Sequence, residues 1–224
     1  MVIESAAVLR FAPPPRGSLA PNSDVDPLKY YYAPVVGRVF TARINTGLGL
    51  LAGHCDRLLE IGFGSGLLLP TLARAADIVD GIDLASDPES VRESLARIGV
   101  TNLGRLVRGD ARAMPFADES YDAVVAFSIL EHLRPNELGA TIGEVARVLK
   151  PGGRFLVGCP AVHKAMNLAF RAIGFRGIEH HHFSSIHDVL EASRARFSVE
   201  RQASMPRPVP LGLAPYGAVL LRKR

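Results

Sequence analysis

The chain has 224 residues, 48% of them apolar and 21% charged, and carries a formal net charge of +4 at pH 7. That length suits one well-buried α/β domain with an appendage and is short for two full domains, and the composition is that of an ordinary globule. The charge is spread along the chain, and its one dense basic cluster, Arg222-Lys223-Arg224, reads as a solvated tail rather than a nucleic-acid footprint.

Neither an apolar leader nor a run of about eighteen apolar residues occurs, so neither secretion nor a membrane span is expected, and the cytoplasm is the expected location. Cys55 and Cys159 flank predicted strands without metal-ligand spacing, and are expected as small core residues of a reduced protein.

Residues 1–27 hold Pro13-Pro14-Pro15, Arg16-Gly17 and Pro21-Asn22-Ser23, a composition that predicts an extended or disordered arm. Residues 28–53 turn apolar and aromatic, and spacings of three and four residues predict an amphipathic helix from Pro34 to Asn45 as a cap. Two readings of this cap stand side by side. Its tyrosines are half-buried on the sheet edge, or it is a lid with one of Tyr30, Tyr31 or Tyr32 facing a substrate.

The central stretch is Leu58-Leu59-Glu60-Ile61-Gly62-Phe63-Gly64-Ser65-Gly66, a strand that ends beside an acidic residue and breaks into alternating glycines. Such a turn takes positive φ and lets a ligand approach the backbone closely, and the following helix offers free N–H groups. A dinucleotide fingerprint would place its third glycine at position 67, which is Leu67; here the glycine comes one residue early, at Gly66. A helix is predicted over Leu67–Ala76 and a second strand over Ile78–Asp83. Asp83, at the strand tip, can accept both hydroxyls of a ribose, which points to an adenosyl ligand without choosing the cofactor. Asp80, inside the strand, is expected to face solvent or a helix end.

A helix over Pro88–Ile98 follows, capped by Ser86 or Asp87, then a strand over Arg105–Arg108 leading into Gly109-Asp110-Ala111. The fourth strand, Tyr121–Phe127, runs into Ser128-Ile129-Leu130-Glu131-His132-Leu133, which topology places near the chemistry. A helix over Pro135–Leu149 is stopped by Lys150-Pro151-Gly152-Gly153, before a fifth strand over Arg154–Cys159. Beyond it come a helix over Val162–Ile173, the run His180-His181-His182, a helix over Ile186–Ala195 and a hairpin of Phe197–Gln202 with Tyr216–Leu221.

The E-x-G-x-G-x-G pattern from Glu60 resembles motif I of the class I S-adenosylmethionine-dependent methyltransferases. The succession GDA…MPF…SYDAVVA…LEHL and the phrase LKPGGRFLVG resemble the Methyltransf_11-type small-molecule enzymes, over Leu58 to Gly158. The resemblance implies a Rossmann-like, doubly wound, seven-stranded α/β sheet with an N-terminal helical cap, the methyltransferase domain occupying 54–224. It implies S-adenosyl-L-methionine as cofactor and S-adenosyl-L-homocysteine as product. Glu60, Gly62, Gly64 and Gly66 then surround the methionine moiety, Asp83 the ribose, and Asp110 with the Ala111 amide the adenine edge, with Phe63, Leu84 and Ser128 bordering the pocket.

The acceptor implied is a small molecule, bound by a monomer or homodimer, and methylated at O, N or C by in-line displacement. A base is needed only where the acceptor must lose a proton. His132 is the leading candidate, as base or substrate contact, against a packing or helix-capping role. In the histidine run, His181 is a candidate base and His182 a substrate contact, against a plain strand-to-helix junction. No metal is expected, because adjacent residues on extended chain point apart and no paired cysteine motif lies nearby. Tyr31 and Tyr32 are the cap's candidate substrate contacts. The alternatives are a cofactor-binding member of the fold that does not methylate and, disfavoured by Leu67, an NAD-dependent oxidoreductase. A nucleic-acid target is weaker still, since the place of an Asn/Asp-Pro-Pro-aromatic motif reads Ser128-Ile129-Leu130-Glu131.

Overall fold

The computed structural model describes residues 9–22, 26–160, 183–211 and 213–224. The strands are β1 (Cys55–Ile61), β2 (Ala76–Asp83), β3 (Leu103–Arg108), β4 (Tyr121–Phe127), β5 (Leu149–Pro160), β6 (Phe197–Met205) and β7 (Tyr216–Lys223). They form one seven-stranded sheet in the order β3-β2-β1-β4-β5-β7-β6. The first five strands pair in parallel, and β7 runs antiparallel to both β5 and β6. Between β1 and β4 the winding direction reverses, and that switch point opens a crevice at the carboxyl ends of the strands. Because β7 is antiparallel, its first residue, Tyr216, faces this same edge, opposite Pro160 of β5.

The helices are α1 (Leu28–Tyr31), α2 (Val36–Leu48), α3 (Leu69–Leu72), α4 (Pro88–Arg97), α5 (Pro135–Val148) and α6 (Ile186–Ser193). Asp87 caps α4 by accepting from the Glu89 amide at 3.2 Å, and Asp188 accepts from the Ser185 amide at 2.7 Å to close the box that starts α6. The helix predicted over 67–76 shortens to α3, because β2 is already paired with Cys55 at Ala76. The cap helix runs on to Leu48. Gly47 lets it lie close on the sheet, since a Cβ there would stand 2.4 Å from the Phe127 ring. The predicted helix stop at 150–153 belongs instead to β5, which starts at Leu149 and slips register between Tyr121 and Ala123 of its neighbour.

Successive residues of a strand point to opposite faces, and here both faces are covered. Leu58, Ala123 and Val125 enter a core with α2, α3 and α4, while Leu59, Val124 and Ala126 enter one with α5 and α6. The described part of the arm carries no helix or strand but is tied to the first core. Phe11 is 3% exposed; its amide donates to Asn45 Oδ1 at 2.8 Å and its carbonyl accepts from Asn45 Nδ2 at 3.1 Å. No helix among the described residues is long and apolar enough to cross a membrane.

Asp80 departs from expectation. It is fully buried, accepting from Arg57 Nε at 2.6 Å, from the Tyr121 hydroxyl at 2.8 Å and from the Arg105 amide. Its partners come from β1, β4 and β3, so the carboxylate stitches four strands together.

Candidate active site

The glycine turn after β1 is built as its spacing predicts: Gly62, Gly64 and Gly66 have φ of 78°, 54° and 82°. The three differ in what surrounds them. A Cβ on Gly62 would stand 2.2 Å from Ile129, and one on Gly66 2.7 Å from Val91, so both permit close packing. One on Gly64 would meet only Asn22 Nδ2, at 3.8 Å, which leaves its backbone facing open space at the crevice.

Asp83 lies beside this opening. Its Oδ2 accepts from the Gly64 amide at 2.9 Å, and its Oδ1 from the Ala85 amide (2.9 Å) and from the Ser86 amide and hydroxyl (both 2.8 Å). These bonds fix the carboxylate and leave Oδ2 lone-pair capacity for a ligand hydroxyl. The arm walls this side, with Asn22 Nδ2 donating to the Ser86 hydroxyl at 2.6 Å. Leu84, next in line, is 70% exposed, an apolar side chain uncovered at the mouth.

Glu60 is buried, and its Oε2 has no hydrogen-bond partner. Burial first, and the nearby Asp83 second, hold its carboxyl well above the ordinary carboxylate range. Such an orphaned acceptor suits a ligand that brings a positive charge. Phe63 turns away from the crevice into the core, where it covers Gly81.

Asp110 and Ala111 follow β3 at the same edge. Here Arg112 intervenes: its Nη2 and Nε reach Asp110 Oδ2 at 2.6 and 2.9 Å, and its Nη1 reaches Glu137 at 2.5 Å. Hydrogen bonding from Arg112 holds the Asp110 carboxyl below its ordinary value.

Ser128 directly follows β4 with φ of 55°, a left-handed backbone uncommon for a side-chain-bearing residue and concentrated at working sites. Its hydroxyl accepts from Arg43 Nη2 at 2.6 Å. The following turn, Leu130–His132, divides its pair: Glu131 is 1% exposed, whereas His132 lies on the exposed side. The Tyr31 ring packs edge-on against Phe11 and Phe40, at 5.6 and 5.3 Å, and its hydroxyl is raised by burial, with Arg43 opposing and Glu60 adding to the shift. Tyr32 donates its hydroxyl to the Pro14 carbonyl at 2.9 Å. The run His180-His181-His182 lies outside the described residues.

Three residues at this edge have no sequence motif to announce them: Arg43, Cys159 and Tyr216. Arg43 had one signal, since it is a cation set within the apolar helix stripe of Phe40, Ile44 and Leu48. Its guanidinium lies 4.6 Å from the Phe40 ring centre and 5.0 Å from that of Tyr216.

Residues 59–157 match the family model of a methyltransferase domain, Methyltransf_11. The chain is 34% identical over 105 residues to the sterol 4-C-methyltransferase of Caenorhabditis elegans, covering 46% of this chain and 30% of that one. It is 30% identical over 147 residues to the ubiquinone biosynthesis O-methyltransferase of a Bradyrhizobium species, covering 64% of this chain and 54% of that one. The chain thus matches about half or less of the length of these curated relatives. The fold matches that of the N-methyltransferase NodS of Bradyrhizobium japonicum, solved with S-adenosyl-L-homocysteine, at 17% identity and a TM-score of 0.63, over 90% of this chain and 94% of that one. The seven-stranded fold is shared with that solved N-methyltransferase, and the match to the methyltransferase-domain model spans residues 59–157.

Proposed function

We propose that the chain is an S-adenosyl-L-methionine-dependent methyltransferase acting on a small molecule. The observation that carries this reading is the pairing of an open glycine turn at Gly64 with Asp83 and the orphaned Glu60 Oε2, all at the switch point of the sheet. The residues suit the cofactor: an acceptor without a donor faces the place for a cation, and a fixed carboxylate faces the place for a ribose. Gly62, Gly64, Gly66 and Glu60 would hold the methionine moiety, Asp83 the ribose, and Asp110 with the Ala111 amide the adenine edge.

When bound, this cofactor supplies an activated methyl group and its own leaving group. What the chain contributes is placement. An acceptor atom held roughly 3 Å from the reacting carbon gains most of the acceleration from orientation alone. α2 and the arm flank the crevice, with Arg43 bonded to Ser128 and Asn22 bonded to Ser86.

Titration calorimetry with S-adenosyl-L-homocysteine and with NADH tests the cofactor. Homocysteine-form binding without NADH binding is expected, and the reverse selectivity would overturn the reading. Radiolabelled methyl transfer into pools of small-molecule acceptors then tests the activity. Tight cofactor binding with no transfer to any pool would favour the non-methylating alternative.

A further inference from the structure

Among the described residues, five buried side-chain atoms lack hydrogen-bond partners, and four belong to Arg43, Glu60, Glu131 and Tyr216. Glu60 belongs to the glycine turn. The other three cluster between α2, the end of β4 and the start of β7, and the cofactor reading does not use them.

The Tyr216 hydroxyl stands over Gly158, where a Cβ would come within 2.1 Å of it. The Arg43 guanidinium lies over the Tyr216 ring, with its Nη2 spent on Ser128 and its Nε unpaired. Glu131 is pinned through its backbone, whose carbonyl accepts from the Phe183 and Ser184 amides at 2.7 and 3.2 Å. Its carboxyl lies within electrostatic reach of the buried Cys159 thiol, and its Oε2 is unpartnered. Arg43, Cys159 and Tyr216 all lie within electrostatic reach of Glu131.

Arg43 Nε–H and Tyr216 O–H are thus unpaired donors, and Glu131 Oε2 is an unpaired acceptor within their electrostatic reach. A carboxylate ligand would satisfy the donors but meet repulsion from ionised Glu131. An ammonium would satisfy Glu131 but meet repulsion from Arg43. A hydroxyl satisfies all three, because it both donates and accepts. We propose that Glu131, Tyr216 and Arg43 form the acceptor subsite, and that the acceptor is a phenol or enol whose hydroxyl proton passes to Glu131 Oε2.

The O–H bond breaks, its electron pair stays on the acceptor oxygen, and Tyr216 and Arg43 hold the resulting oxyanion. Burial pushes the Glu131 carboxyl up to about 7, the range in which a base works near neutral pH. The proposal rests on reading the crevice as a methyl-transfer site.

The test measures binding of 4-methylphenol by calorimetry in the presence of saturating S-adenosyl-L-homocysteine, from about pH 6 to pH 8.5. In the parent, affinity is expected to rise about tenfold per pH unit below 7 and to level off above it, as Glu131 becomes able to accept the proton. The Glu131→Gln variant should lose this slope and bind about tenfold more weakly at high pH, and Tyr216→Phe should bind more weakly throughout but keep the slope. Benzylamine and benzoate should bind the parent at least about tenfold more weakly than the phenol. A flat parent profile, a slope that survives Glu131→Gln, or an amine that binds as tightly would overturn the proposal. Both variants should keep their S-adenosyl-L-homocysteine affinity, showing that the fold persists; loss of that affinity in Glu131→Gln would place Glu131 on the cofactor side and also overturn it. If the parent itself does not bind S-adenosyl-L-homocysteine, the methyltransferase reading fails first.

Discussion

Buried charge is handled in opposite ways at two places on the same sheet. Asp80, in the body of the sheet, has its carboxylate filled by Arg57, Tyr121 and the Arg105 amide. At the carboxyl edge, Glu60, Glu131, Tyr216 and Arg43 each keep a buried atom without a partner. A satisfied buried network serves the fold, whereas orphaned atoms gathered at one edge cost stability and wait for a ligand. The contrast separates structure from function more sharply than residue type does, since both places are built from carboxylates, tyrosines and arginines.

The largest effect should come from breaking the satisfied side. Asp80→Ala leaves the Tyr121 hydroxyl and the Arg105 amide unpaired inside the sheet, and is expected to cost about 2–4 kcal/mol. The figure stays below that of a wholly buried pair because the Arg57 side chain is 36% exposed and can recover hydration. Urea unfolding reads the loss, and the molecules that remain folded should keep their S-adenosyl-L-homocysteine affinity. A matching fall in affinity would show that the two places are coupled.

The orphaned side should respond to pH in a defined direction. Glu131 titrates near 7 in the folded chain against an ordinary 4.5, so the folded state holds this proton more tightly than the unfolded one. The stability it contributes is complete below pH 4.5 and is lost as pH rises through 7, by roughly 3 kcal/mol in all. Arg43 and Cys159, which both favour the ionised form, are already included in that position. Urea midpoints of the parent should fall between about pH 5 and pH 8, and Glu131→Gln should flatten the fall while Glu60, also raised, leaves a residual slope. A parent curve no steeper than that of the variant would mean that Glu131 is hydrated.

Next in size is Asp83→Ala, expected to weaken S-adenosyl-L-homocysteine binding by about 1–3 kcal/mol through lost charge-assisted hydrogen bonds. An unchanged dissociation constant would remove Asp83 from the ligand site and leave it as a clamp on Gly64 and Ser86.

What the sequence made legible follows from distance along the chain. The glycine turn, Asp83 and the β4 boundary are written in contiguous residues whose periodicity and turn chemistry are local. Asp80 was misjudged because its partners Arg57, Arg105 and Tyr121 lie 23, 25 and 41 residues away, and a carboxylate inside a strand does not advertise them. Arg43 and Tyr216 reach the edge from a helix before β1 and from the last strand. Only the antiparallel entry of β7 brings Tyr216 there, and no short-range pattern encodes that direction. Between Glu131 and His132 the sequence showed proximity to the crevice, but the turn's orientation decides which of the two side chains is buried.

The smallest expected effect concerns Asp110, which stands between the two kinds of place. Its carboxylate already receives the Arg112 amide at 2.8 Å and the guanidinium at 2.6 to 3.0 Å, contacts that occupy most of the acceptor directions a carboxylate offers. An adenine amino group needs one of them. Arg112 therefore competes with the ligand or steers the carboxylate toward it, and Arg112→Ala distinguishes the two. Competition predicts binding of S-adenosyl-L-homocysteine about twofold tighter, with little change in unfolding, because an exposed pair contributes little to stability. Weaker binding, matching that of Asp110→Ala, would make Arg112 a positioning residue that holds Asp110 in register with the purine edge, and would move this corner from the orphaned class into the satisfied one.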